Sequence, residues 1–235
     1  MTPNPRLRVA IDGPAGAGKS TVARGLAGRL GYVLLDTGAL YRTVALAAQQ
    51  DGVDWADAVG VGAVARALVA EGAIAVEGRG DSGMRVRLRQ RDVSELIRSP
   101  EVSLGASRVS AVPAVREALL EMQRRAGAEG GVVLEGRDIG TVVLPDAEVK
   151  FFLTAPPEVR ARRRFDELSA SDKTVTLEET LADVVKRDRA DTDRPVAPLR
   201  CADDAIVVDS SGRPVGDIIE EMARVVEERA AARGR

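Results

Sequence analysis

Short apolar segments recur along the chain and predict β-strands. They occupy residues 8–11, 32–35, 132–134, 149–153 and 206–208. Gly, Asp, Thr or Pro closely follows each segment. After most segments, apolar residues recur at the spacing of a helix, as Val22, Leu26 and Leu30 do. Apolar runs without strict alternation are typical of strands buried on both faces of a parallel sheet. Strands alternating with helices therefore predict a layered α/β fold.

One region departs from this rhythm. Residues 73–77 and 84–88 flank a glycine-rich turn, and in the second segment apolar residues alternate with arginines. Such alternation predicts an antiparallel hairpin with one exposed face. We therefore expect a small insertion over residues 60–105, on a core formed by residues 1–59 and 106–235.

The composition narrows the function classes. The chain has 235 residues, enough for one α/β domain with an insertion. Its net charge of −2 and its 3% aromatic content argue against a nucleic-acid or acidic-membrane partner. It has no histidine, which excludes a Ser-His-Asp triad and an imidazole zinc site, and one cysteine, which excludes an internal disulfide. With no signal-like segment or membrane-length apolar run, we expect a cytoplasmic monomer.

The turn after the first predicted strand has the phosphate-binding loop pattern. Its residues are Gly13, Pro14, Ala15, Gly16, Ala17, Gly18, Lys19, Ser20 and Thr21. The glycines allow backbone N–H groups to converge without Cβ clashes, and the following helix adds its positive end. Lys19 suits the β- and γ-phosphates, and the Ser20 hydroxyl suits Mg²⁺.

This loop leaves several activities open, among them a GTPase, an ATPase and a kinase. The dinucleotide fingerprint is not met, because Thr21 stands where a third glycine is needed. The chain also lacks an Asn-Lys-x-Asp segment for guanine recognition.

Three groups of charged residues are further candidates. On a helix, Arg187, Asp191 and Arg194 would share one face, which suits a phosphorylated sugar but also a solvated surface. Arg160, Arg163 and Arg164 precede a polar stretch, residues 166–176, that we expect to form a mobile loop over the γ-phosphate. A basic surface helix remains the alternative for that group.

The third group lies in the segment after the strand at 132–134. Arg137 and Asp138 stand between Gly136 and Gly140. They follow the carboxyl end of a predicted parallel strand, where α/β proteins bind ligands. This position favours a functional role over a purely structural turn.

Together these motifs resemble a known family. GPAGAGKS (13–20), LLDTGALYR (34–42), VREALL (115–120), GRDIGTVV (136–143) and RPVAPL (194–199) look like the bacterial cytidylate kinases among the P-loop nucleoside monophosphate kinases. The match runs in order across nearly the whole chain and is weakest over residues 165–176. It implies a three-layer P-loop kinase fold with a five-stranded parallel sheet, an inserted CMP-binding subdomain over 60–105 and a mobile lid around 160–180.

The resemblance also implies the reaction, transfer of the γ-phosphate of ATP to CMP or dCMP with Mg²⁺. It implies an ATP site of residues 13–21 with Arg160, and Ser20 as the metal contact. Its catalytic group would be Lys19, Arg137, Arg164 and Arg194. The implied CMP site comprises Thr37, Tyr41, Arg42, Ser107, Arg116, Arg137, Asp138, Arg187, Asp191 and Arg194.

The chemistry of cytosine suits the residues that would read it, Ser107, Arg116 and Asp138. A carboxylate accepts from the N4 amino group, whereas uracil would place the O4 acceptor against it, and unpaired buried polar groups are costly. Two alternatives remain open at this stage. One is a related kinase for UMP, AMP or a non-nucleotide acceptor, and the other is a nucleotide-binding protein without transferase activity.

Overall fold

The structure is a computed structural model that describes residues 5–78, 84–170 and 174–234. Its strands are Arg8–Asp12 (β1), Val33–Asp36 (β2), Ile74–Gly78 (β3), Met84–Leu88 (β4), Arg91–Asp92 (β5), Val132–Gly136 (β6), Val149–Thr154 (β7) and Ile206–Asp209 (β8). Its helices are Lys19–Leu30 (α1), Thr37–Gln50 (α2), Ala58–Ala70 (α3), Pro100–Val109 (α4), Pro113–Ala126 (α5), Pro157–Ser169 (α6), Leu177–Asp193 (α7) and Val215–Arg233 (α8). A 3₁₀ turn covers Leu96–Arg98, and a π-helical turn covers Ile139–Val143.

The main sheet has five parallel strands in the order β2-β6-β1-β7-β8. On one face, α1 and α8 pack around Leu26, Phe151 and Met222, which are fully buried. On the other face, Leu134, Ile139 and Leu144 form a second apolar layer. The α/β fold with a five-stranded parallel sheet, expected from the apolar segments, is therefore confirmed.

The strand register brings acidic residues together at the carboxyl edge of the sheet. Asp12 at the end of β1 lies opposite Gly136 of β6 and Phe152 of β7. Asp36 at the end of β2 lies opposite Glu135 of β6. The loop after β1 thus opens beside the ends of β2 and β6, where ligand sites form in parallel sheets.

The predicted hairpin is present as β3 and β4, which pair antiparallel with Ile74 opposite Leu88. Residues 79–83 of its predicted turn lie outside the described residues. The predicted boundaries at 60 and 105 fall inside α3 and α4. Buried side chains of both helices and of the hairpin share one apolar cluster with α2 and α5, so this region does not have a core of its own.

The loop predicted over residues 166–176 is shorter than expected: among its described residues, 166–169 are helical, whereas 170 and 174–176 are not. Residues 166–169 continue α6, because Glu167 and Leu168 are good helix formers and neither Gly nor Pro interrupts them. Thr176 caps α7 through a reciprocal capping box with Glu179. Residues 171–173 lie outside the described residues. The predicted lid region is thus mainly two packed helices.

No helix in the described ranges is both long and apolar enough to span a membrane.

Candidate active site

A cavity of about 1110 Å³ opens at the carboxyl edge of the sheet. It brings together most of the residues expected from the sequence: Ala15, Gly16, Ala17, Gly18, Lys19, Ser20, Thr21, Thr37, Tyr41, Arg42, Ser107, Arg116, Arg137, Asp138, Arg164, Arg187, Asp191 and Arg194. The expected residues Gly13, Pro14 and Arg160 are not among those that line it. One continuous cavity therefore joins the phosphate loop to the groups expected to bind the acceptor.

The phosphate loop is fixed by a close approach to β7. Gly13 has φ of 150°, and a Cβ there would lie 2.0 Å from the backbone oxygen of Leu153. Only glycine fits this position. Lys19 turns back so that its Nζ donates to the Pro14 carbonyl at 2.7 Å, and the residue is only 6% exposed. The lysine is thus held in the loop in which phosphates would lie.

Burial strongly affects the ionisable groups beside the loop. Desolvation, followed by the nearby Arg137 charge, lowers the pKa of Lys19. Desolvation and the Asp36 charge raise the pKa of Glu135. The Ser20 hydroxyl donates to Glu135 Oε2 at 3.1 Å, whereas Glu135 Oε1 is buried without a hydrogen-bond partner. The site therefore has a buried carboxylate oxygen, next to Ser20, that is able to accept a hydrogen bond or to bind a cation.

Asp138 lies at the centre of the acceptor side of the cavity. The residue is 4% exposed. Arg116 donates to one of its carboxylate oxygens, and Arg194 Nη2 donates to the other at 3.3 Å. The Arg116 guanidinium also lies over the Tyr41 ring, 5.4 Å from its centroid. This arrangement presents a carboxylate and two guanidinium groups on one wall.

A second set of charges surrounds Asp191 of α7. Arg137 Nε donates to Asp191 Oδ2 at 2.7 Å, and Arg194 Nη1 lies 3.9 Å from Asp191 Oδ1. Burial and the neighbouring Arg164 lower the pKa of Arg187, and burial with Arg116 lowers that of Arg194. Cations held this close to one another favour binding of an anion.

Arg194 does not share the helical face predicted for it. Helix α7 ends at Asp193, and Arg194 has extended backbone with φ of −62° and ψ of 138°. Its Nε donates to the Ala197 carbonyl at 2.6 Å. The turn after the helix, rather than helical periodicity, brings Arg194 beside Asp191.

The start of α2 forms another part of the wall. Asp36 caps this helix by accepting from Ala39 N, and its other oxygen accepts from Arg42 Nη2 at 2.6 Å. The Thr37 hydroxyl donates to the Glu135 carbonyl at 2.8 Å, which joins the start of α2 to β6. Ser107 faces the cavity from α4 and is exposed.

The three arginines of α6 have different environments. Arg160 is 3% exposed. Its guanidinium donates to the carbonyls of Ala15 and Ala155 and to both carboxylate oxygens of Asp188. Arg160 is not among the residues that line the cavity, so the direct ATP contact implied for it stays a prediction. Arg164 lines the cavity as expected.

Among the residues that line the cavity, the sequence analysis assigned Glu135 no role and assigned Arg163 one only as a member of its group of three arginines. Arg163 donates to the Ser210 hydroxyl at 3.0 Å and to the Ser210 carbonyl at 2.7 Å, beside the phosphate loop. Glu135 could have been noticed as an acidic residue at the end of a strand beside the loop strand. Nothing in the spacing of Arg160, Arg163 and Arg164 separates the buried arginine from the others.

A parallel sheet with a phosphate loop after its central strand, a buried loop lysine and an adjoining arginine-rich cavity defines a P-loop phosphotransferase. The family model described as cytidylate kinase matches residues 9–228. The chain therefore belongs to the cytidylate kinase family, as the motifs led us to expect, and is a kinase.

Individual relatives agree with this assignment. The chain is 52% identical over 223 residues to the cytidylate kinase of Geobacter sp. (strain M21), covering 95% of this chain and 94% of the relative. It is 50% identical to that of Geobacter sulfurreducens, covering 96% and 95% of the two chains. It is 48% identical to that of Mycobacterium leprae, covering 95% and 97%.

Proposed function

We propose that this protein transfers the γ-phosphate of ATP to CMP or dCMP, giving ADP and CDP or dCDP. The observation that carries the proposal is the position of Asp138, held between Arg116 and Arg194 in the same cavity as Lys19. The carboxylate would accept from the cytosine amino group, and Arg116 would donate to the ring acceptors. Uracil would leave this buried carboxylate facing an acceptor, which disfavours it.

The reaction does not require a general base. An oxygen of the acceptor phosphate attacks the γ-phosphorus of ATP, and the bond to the β,γ-bridging oxygen breaks to release ADP. Lys19 and Arg164 would neutralise charge on the transferred group, while Arg137 and Arg194 would hold the acceptor phosphate. Arg187 and Asp191 would contact the sugar. Since the nucleophile is already an anion, the absence of histidine is no obstacle.

We propose that the donor is bound with Mg²⁺. No group of three or more acidic, His or Cys residues in the described ranges could hold a metal by itself. The Ser20 hydroxyl and the unpartnered Glu135 Oε1 fit a hard cation that takes its other ligands from phosphate and water. When bound, Mg²⁺ would neutralise charge on the β- and γ-phosphates.

We further propose that residues 60–105 help to bind CMP and that the helices around 160–180 act as a lid. A second cavity of about 330 Å³ lies between the hairpin and the sheet edge, lined by Met84, Val86 and Arg98 on one side and by Ser20 and Asp36 on the other. Its volume leaves room for the two parts to approach. Closure would exclude water and so suppress hydrolysis of ATP.

The deciding experiment measures ADP formation with CMP, dCMP, UMP and AMP offered singly. We expect a strong preference for CMP and dCMP in the unaltered protein and a loss of that preference in Asp138→Asn. Efficient use of UMP or AMP by the unaltered protein would point to a related kinase. ATP binding without transfer to any acceptor would point to a nucleotide-binding protein and refute the proposal.

We also propose that the protein acts as a cytoplasmic monomer on small-molecule nucleotides, without a nucleic-acid partner. Light scattering of the purified protein tests the monomer, and a single mass near 24.8 kDa is expected. A concentration-independent dimer would refute it.

A further inference from the structure

Asp12 is a buried carboxylate to which the reaction above assigns no role. It is the last residue of β1, directly before Gly13 of the phosphate loop, and it is 4% exposed. Its Oδ1 accepts from Ile139 N at 2.8 Å, and its Oδ2 accepts from Gly140 N at 2.7 Å. Both donors belong to the segment that follows Asp138, so a residue of the loop strand binds the backbone of the acceptor wall.

These two N–H groups are the first donors of the π-helical turn Ile139–Val143, and they need acceptors from outside that turn. Asp138 occupies the position directly before the turn, where an aspartate side chain commonly caps the following N–H groups. Here Asp138 makes no such side-chain hydrogen bond. Its carboxylate is turned instead to Arg116 and Arg194.

We propose that Asp12 is a specificity-determining positioning residue. By capping the π-helical turn in place of Asp138, it leaves the Asp138 carboxylate available to the acceptor site. This inference rests on the proposed function, because it requires Asp138 to read the acceptor base.

The local packing supports a dedicated role for Asp12. A Cβ at Gly140 would lie 3.4 Å from Asp12 Oδ2, an ordinary contact distance, so the carboxylate packs directly against this part of the backbone. Burial raises the pKa of Asp12 to about 6, and the two backbone hydrogen bonds oppose that rise. The anion present at neutral pH is therefore costly to bury and is stabilised mainly by the turn that it caps.

The consequence concerns selectivity more than folding. Without the Asp12 acceptor, the Asp138 side chain, in the position directly before the turn, would be free to accept from Gly140 N. A carboxylate drawn back to its own backbone would leave Arg116 and Arg194 without their shared partner. CMP would then lose its specific contacts, whereas the phosphate-loop contacts to ATP would remain.

The experiment compares Asp12→Asn with the unaltered protein in steady-state kinetics against CMP, UMP and ATP. Asparagine keeps the side-chain size, but its oxygen can satisfy only one N–H well, and its NH₂ opposes the other. We expect the CMP-to-UMP ratio of kcat/KM to fall roughly tenfold or more, and KM for CMP to rise, with KM for ATP nearly unchanged. Asp12→Ala is expected to show a larger loss in the same direction.

Two controls distinguish a role of Asp12 in positioning the Asp138 carboxylate from a general disturbance of the structure. Glu148→Gln alters another carboxylate that accepts a β1 backbone N–H, from Arg8 at the opposite end of the strand, and it should leave the selectivity unchanged. In an Asp138→Asn background, Asp12→Asn should cause no further loss of selectivity, because the two changes act through the same carboxylate.

Several results would overturn the inference. They are an unchanged CMP-to-UMP ratio in Asp12→Asn, equal rises in KM for ATP and CMP, and additive effects of the Asp12 and Asp138 changes. Failure of the proposed function has a different signature, since the unaltered protein would then show no preference for CMP. Thermal unfolding of each variant confirms that the comparison is made between folded proteins.

Discussion

Arg160 and Asp188 form a bidentate ion pair that ties α6 to α7, with nitrogen–oxygen distances of 2.9 and 2.6 Å. The same guanidinium donates to the Ala15 carbonyl in the phosphate loop at 3.0 Å. One side chain therefore joins the loop to both helices of the lid region. Its role is to hold the loop and these helices in place.

Asp188→Asn should destabilise the protein, because it leaves the Arg160 cation buried without its counter-charge. We expect the free energy of unfolding to fall by about 2–4 kcal/mol, measured by urea denaturation. KM for ATP should rise as the phosphate loop loses its anchor. Glu121→Gln, which breaks the exposed pair with Arg125, is the matched control and should change the stability little. An effect no larger than that of the control would contradict this prediction.

Lys19→Met should separate catalysis from stability. Loss of the cation at the phosphates should lower kcat by about 10²–10³-fold. The unfolding temperature of the ligand-free protein should stay equal or rise, because burial lowers the pKa of Lys19 and so makes the charged form costly. Circular dichroism melts and ADP formation test both parts. A large drop in unfolding temperature would show that the lysine is needed for folding.

Ser20→Ala should weaken the response of ATP binding to Mg²⁺. We expect the affinity for the metal in the presence of ATP to fall roughly 10–100-fold, as measured by Mn²⁺ paramagnetic resonance and by calorimetry. ATP binding without metal should change little. Ser169→Ala, which alters a partly exposed serine at the end of α6, serves as the control. Unaltered metal affinity in Ser20→Ala would remove Ser20 from the metal site.

Glu148 should contribute a pH-dependent part of the stability. Although burial raises its pKa, hydrogen bonds from Arg8 and Arg233 lower it to about 2. A lowered carboxyl pKa stabilises the fold above the ordinary value near 4.5, and that stability is lost as the pH falls towards 2.

Glu148→Gln should therefore lower the free energy of unfolding at pH 7 by about 1–2 kcal/mol. The difference from the unaltered protein should shrink below pH 4.5, where the wild-type carboxyl begins to take up protons in the unfolded state. Denaturant unfolding at several pH values measures it. A difference that does not vary with pH would indicate a packing effect in place of an electrostatic one.

The sequence determined much of the architecture. Five apolar segments predicted the strands of the parallel sheet, because residues buried on both faces of a sheet must be apolar along their length. The alternation of Met84, Val86 and Leu88 with arginines predicted the hairpin, because a strand with one buried and one exposed face alternates apolar and polar residues. The phosphate loop was readable because its function depends on local backbone geometry, which Gly13, Gly16 and Gly18 encode directly.

Only the tertiary structure decided how the charged residues are used. Arg160, Arg163 and Arg164 have the same chemistry and neighbouring positions, yet Arg160 is enclosed by Ala15 and Asp188. Arg194 reaches the site through a turn that helical periodicity did not predict. Asp12 and Glu135 gained their partners from the register of β1 with β6. Hydrophobic patterns are local and can therefore be read directly from the sequence. Packing, in contrast, decides which residues far apart along the chain become partners, such as Asp12 and Gly140.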